Sequence, residues 1–106
     1  DRSAEGLAEW RRGMTALAAM EHVHLKISEM GLAGAPWDYD DNRILVREAI
    51  EIFGFNRCMF ASNFPVAKLR IGYVDQVSAI AHMIRDCSSG ERDALFHDTA
   101  ERFYRL

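Results

Sequence analysis

Proline is scarce, with two in 106 residues, and cysteine is no commoner. The cysteines, Cys58 and Cys87, stand 29 positions apart on different predicted elements. That separation has no metal-like spacing, and reduced structural thiols are the expectation. No hydrophobic run approaches the length of a membrane span, and the amino terminus lacks the basic-then-apolar layout of a secretion signal. Positive charge is not in excess: the formal net charge of −3 gives no general pull toward nucleic acid or an anionic membrane. Glycine-rich phosphate loops, low-complexity tracts and internal repeats are all missing. A cytoplasmic protein with no nucleic-acid or membrane partner is therefore expected. What is present is ordinary for a folded chain, 49% apolar and 27% charged residues.

The most informative stretch is Arg57-Cys58-Met59-Phe60-Ala61-Ser62-Asn63-Phe64-Pro65. It is too brief for a helix and is bounded by Gly54 and Pro65, so it reads as a buried strand. Alternation puts Met59, Ala61 and Asn63 on one face and Cys58, Phe60 and Ser62 on the other. The strand ends in Ser62 and Asn63, at the carboxyl edge where sheets built from strand–helix units place their chemistry.

Upstream, Ser3 suits a helix cap, and Leu7, Trp10, Met14, Leu17 and Ala18 form one apolar stripe ending near Met20. Glu5, Glu9, Arg11 and Arg12 occupy the solvated flank. Residues 23–28 alternate strictly, with Val23, Leu25 and Ile27 apolar and His24, Lys26 and Ser28 polar. His22-Val23-His24 has a spacing used by metal sites, yet it falls at the start of its strand without a third ligand placed to complete it. Between Glu29 and Asp41 the chain is irregular. Trp37 there suits packing or substrate contact, and Asp41 or Asn42 suits a cap. Leu45, Val46, Ala49, Ile50, Ile52 and Phe53 mark a second helix. Gly54 stops it, because glycine adopts a left-handed backbone at low cost. A strand–loop–helix–strand order predicts parallel strands. Beyond a basic loop carrying Lys68 and Arg70, Val74, Val77, Ile80, Ala81 and Ile84 mark a third helix, with His82 one step off its stripe. Ser88 and Glu91 form a capping box for a last helix through Leu95, Phe96, Thr99, Ala100, Phe103 and Tyr104.

Residues 57–65 resemble the last-strand signature of the amidohydrolase-related (amidohydrolase 2) metal-dependent hydrolases, in the branch that includes lactonases. That signature runs Arg, two hydrophobic residues, Phe, Gly or Ala, Ser, Asp, Trp or Phe, then Pro. The match holds at Arg57, Phe60, Ala61, Ser62, Phe64 and Pro65, and departs at Asn63. Val23-His24-Leu25-Lys26-Ile27-Ser28 and the closing Thr99-Ala100-Glu101-Arg102-Phe103-Tyr104-Arg105-Leu106 resemble later family segments in the same order.

The resemblance implies an α/β chain forming the C-terminal portion of a (β/α)8 TIM-type barrel, with residues 1–106 as a single partial domain. A complete barrel typically needs roughly 250 residues, more than this chain supplies. The polar face of 23–28 would look inward, and Lys26 and Ser28 would bind a substrate oxyanion, with Ser62 and Trp37 as further contacts. The family's metal, zinc or manganese in the complete fold, is held by histidines of early strands; this segment supplies no cofactor site of that kind. The family's last-strand aspartate takes a proton from the attacking water. Asn63 stands in its place, with no useful basicity but able to hold water or a carbonyl by hydrogen bonds. Asp38 and Asp40 are the candidates to replace that base. The expectation is thus a segment of a hydrolase for lactone or related carbonyl substrates, inactive without a complementing N-terminal half. The alternative is a non-catalytic module that pairs exposed strand edges as a homo-oligomer.

Overall fold

The computed structural model describes residues 1–28, 30 and 35–105. Two short parallel strands, β1 (Leu25–Ile27) and β2 (Cys58–Phe60), form its sheet, with Leu25 opposite Cys58 and Ile27 opposite Phe60. Between them runs α2 (Tyr39–Phe53), the crossover that parallel pairing requires. Helix α1 (Ala4–Ala18) precedes β1, and α3 (Tyr73–Met83) follows β2. The last stretch is α4 (Ser89–Asp93), a π turn over Ala94–Asp98, and α5 (Thr99–Tyr104).

The core lies where α2, α3 and the last stretch meet the apolar side of the sheet. Val46, Ile50 and Phe53 of α2, Ile80 and Met83 of α3, Ile84 and Leu95 bury against Ile27 and Cys58. Each fully buried aliphatic side chain of this kind contributes about 1.5–3 kcal/mol. Trp10, Met14 and Ala18 of α1 pack on this core from outside, while Leu17 is exposed. Arg11, expected in solvent, instead reaches Glu48 on α2 through two hydrogen bonds, with Nη2 to Oε1 at 2.8 Å.

Local signals set the helix ends. Ser3 accepts from the Gly6 amide at 3.1 Å, and Ser88 and Glu91 satisfy each other's backbone as a capping box. Gly54 closes α2 at φ 81°, a positive value as expected, although its ψ of 152° lies outside the left-handed helical well. The start of α2 differs from expectation: Asp38, not Asp41 or Asn42, is the cap, accepting from the Asp41 amide at 2.8 Å. The earlier start adds a turn and leaves Asn42 inside the helix, 2% exposed. In α3 the buried face is Gln76, Ile80 and Met83, continuing to Ile84, rotated from the stripe of valines, and Val74 is 73% exposed. Among the described residues, no helix is long and apolar enough to cross a membrane.

Candidate functional site

Strand β2 is shorter than the nine-residue signature. Arg57 belongs to a 3-10 turn over Phe55–Arg57, and regular pairing ends at Phe60. The Ala61 amide still donates to the Ile27 carbonyl at 2.9 Å, so the backbones stay together one residue longer. Both Cys58 and Met59 are buried, as befits an interior strand. Past Ala61 the chain turns sharply: Asn63 has φ 55°, and the Phe64–Pro65 peptide is cis. Asparagine is among the few residues that accept positive φ readily. The Asn63 carbonyl then accepts from the Ala67 amide at 2.8 Å, starting the 3-10 turn Val66–Leu69. Ser62 Oγ accepts from the Phe64 amide at 3.3 Å, so part of its capacity is spent on the turn.

The register carries Lys26 opposite Met59, and Ser28 follows Ile27 toward the same carboxyl edge that ends in Ser62 and Asn63. Ser28 and Ser62 are half-buried, while Asn63 is exposed. Lys26 is also exposed, and its ammonium lies 5.2 Å from the ring centre of Tyr104, within cation–π range. On the same strand face, His24 packs against Phe103 with ring centres 4.7 Å apart. The tip of α5 therefore meets the polar face of β1, while Phe96, earlier in the same stretch, packs on Phe60 at 5.4 Å. Trp37 is half-buried against the core. Part of the irregular loop, Glu29 and residues 31–34, falls outside the described residues. Asp38, one substitute for the missing base, is committed to capping α2.

The signature arginine holds the opposite, amino-terminal end of the sheet. Arg57 donates through Nη1 to the carbonyls of Met20 at 3.1 Å and Val23 at 3.5 Å, and through Nε to Phe53 at 3.3 Å. Its guanidinium also stands 5.3 Å from the Phe53 ring centre. One side chain thus joins the exit of α1, the entry to β1 and the end of α2. Sequence reading singled out Arg57 only as part of a motif, because these partners lie far away along the chain.

Cys58 is not arranged as a nucleophile. Burial pushes the Cys58 thiol up to about 12, so it stays protonated. Cys87 is half-buried with its sulfur 3.4 Å from Arg47 Nη1, and that arginine is also bound to Asp86 at 2.7 Å.

The amidohydrolase family model matches residues 1–106. The chain belongs to the amidohydrolase family. It is 44% identical over 97 residues to uncharacterized protein y4mH of Sinorhizobium fredii, covering 92% of this chain and 33% of that one. It is 34% identical to an L-fucono-1,5-lactonase of Burkholderia multivorans, covering 100% of this chain and 38% of the lactonase. A zinc-bound amidohydrolase from Burkholderia multivorans superposes with a TM-score of 0.87 at 32% identity, covering 99% of this chain and 39% of that structure. A putative 2-pyrone-4,6-dicarboxylic acid hydrolase from Pseudomonas putida shares the fold, with a TM-score of 0.70 at 22% identity over 89% of this chain and 35% of its own. The chain spans between 33% and 39% of the length of these relatives.

Family membership raises the question of metal, and the donor set at the sheet edge does not fit one. Lys26, Ser28, Ser62 and Asn63 offer an ammonium, two hydroxyls and a carboxamide, where zinc takes imidazole, thiolate or carboxylate. The His22-Val23-His24 pair fits no better. His24 Nδ1 faces the His22 carbonyl at 3.1 Å, and its ring is packed on Phe103.

Proposed function

We propose that this chain is the C-terminal portion of a (β/α)8-barrel hydrolase acting on a lactone or related carbonyl substrate. On this reading residues 1–106 are one partial domain that works only with the missing N-terminal half. The observation that carries it is the parallel pairing of β1 and β2, with the Ser62-Asn63 turn at their shared carboxyl edge. In strand–helix barrels that edge borders the substrate pocket. Lys26 and Ser28 bind the oxyanion that develops as water adds to the carbonyl, the ammonium by charge and the hydroxyl by donation. Asn63 and Ser62 hold the water or the ring oxygen by hydrogen bonds, and Trp37 forms a wall beside the substrate. Asn63 does not itself take the proton from the water, since its carboxamide has no basicity.

The deciding experiment assays the lone chain, and the chain with its N-terminal half, against a lactone panel with added zinc or manganese. Turnover is expected only in the combination. Equal turnover by the lone chain would sink the complementation reading.

A second reading is favoured by one feature, the exposed apolar run after the site. Leu69 is 82% exposed and Val74 73%, beside the half-exposed Val66 and Tyr73. Such a patch, with a sheet of two strands among the described residues, suits a non-catalytic module that self-associates. Sedimentation distinguishes the two, because a monodisperse monomer at high concentration counts against this reading.

A further inference from the structure

Away from the sheet edge, three side chains of the last helical stretch converge. His97 Nδ1 lies 3.0 Å from Asp98 Oδ1 and 3.3 Å from Glu101 Oε2, and the three ligand atoms all fall within 4.8 Å of one another. The local backbone brings this about. Over Ala94–Asp98 the helix widens to a π turn, closed by the Thr99 amide donating to the Ala94 carbonyl. Such widened turns recur at functional positions in helices. Here the turn ends at His97 and Asp98, and α-helical spacing then places Glu101 one turn beyond His97.

We propose that His97, Asp98 and Glu101 form a divalent transition-metal site, best suited to zinc. Zinc bonds of ~2.0–2.2 Å to imidazole nitrogen and carboxylate oxygen set ligand–ligand edges of about 3.3–3.6 Å in a tetrahedron. The two distances from His97 Nδ1 are close to such edges, and the separation of the two carboxylates, within 4.8 Å, is the one that side-chain rotation has to close. One nitrogen and two carboxylate oxygens favour zinc over magnesium, which keeps its water and asks for six oxygens. The fourth position is open to water, because His97 and Glu101 are exposed. Bound there, the ion ties the π turn to the first turn of α5, the helix whose tip covers Lys26. This site is independent of the hydrolase reading. It lies on a helix surface and shares no residue with the sheet edge.

The test is calorimetric titration of the purified chain with zinc chloride, with and without millimolar magnesium. One zinc per chain is expected, unaffected by magnesium. His97→Ala and Glu101→Gln should each weaken binding at least tenfold, while the double variant His22→Ala/His24→Ala should bind as the parent does. Ring-nitrogen NMR should show the zinc-induced shift at His97 Nδ1. The variants lie on an exposed helix face, and circular dichroism checks that they remain folded. No zinc uptake by the parent chain, unchanged binding in His97→Ala, or a loss confined to the His22/His24 variant would each overturn the proposal.

Discussion

The ammonium of Lys26 and the ring centre of Tyr104 stand 5.2 Å apart, although they lie 78 positions apart along the chain. This contact places the strand lysine beneath the tip of the final helix, where the aromatic face offsets part of its charge. Its neighbour on the same face, His24, is covered in the same way by Phe103. The polar face of β1 is thus met by aromatic side chains at His24 and Lys26. Among the described residues no acidic side chain pairs with Lys26 to compete for a substrate oxyanion.

In the complete protein, Lys26→Met should therefore lower kcat/KM for a lactone by about 10²–10³-fold, the usual loss for one oxyanion donor. Tyr104→Leu should cost less, since the ammonium remains and only its positioning is relaxed. Steady-state kinetics on both variants checks this. Activity untouched by Lys26→Met would remove the lysine from the site.

Asn63 gives a prediction of opposite sign. Aspartate tolerates positive φ nearly as well as asparagine, so Asn63→Asp keeps the turn while adding a proton acceptor. Hydrolysis by the complete protein should rise, by up to about 10²–10⁴-fold if no other base is acting. An unchanged rate would assign the base to another residue.

Acid should weaken the packing of α1 on α2. The Arg11 guanidinium bonded to Glu48 holds that carboxyl below its ordinary 4.5. A carboxylate depressed in the folded state adds stability above its unfolded value and loses it as pH falls through the folded one. Arg11→Gln should therefore be less stable than the parent at neutral pH, with the gap closing as pH falls below about 4.5. Urea unfolding at several pH values measures it, and a gap that does not depend on pH would mean the ion pair contributes nothing. The pair is partly exposed, so the effect is expected to be small.

Gln76 is fully buried in α3, and neither atom of its carboxamide finds a hydrogen-bond partner among the described residues. An unpaired buried amide costs about 1–3 kcal/mol. Gln76→Met, which keeps the shape and removes the polar atoms, should raise stability by part of that amount. A lower melting temperature in Gln76→Met would show that the amide is bonded in the folded protein.

Much of the architecture was legible along the chain because its signals are local. Ser3, Gly54 and the Ser88–Glu91 box each act within one helical turn, and the alternation at 23–28 needs no distant partner to be read. The parallel pairing also followed, since a strand, a helix and a second strand leave little other choice. The candidate site was legible as a motif: Ser62 and Asn63 do fall at the carboxyl edge of β2, and Ser28 follows β1 toward it.

The tertiary structure decided what depends on contacts between distant segments. It trimmed the strand read at 23–28 and the one at 57–65 to three residues each, rotated α3 so that Gln76 rather than Val74 turned inward, and spent Asp38 on a cap. It drew Arg57 across to the carbonyls of Met20 and Val23, and it set Lys26 under Tyr104. Periodicity tells which residues can share a face, but only packing selects which face is buried, because that choice depends on the summed contacts of elements far apart in the chain.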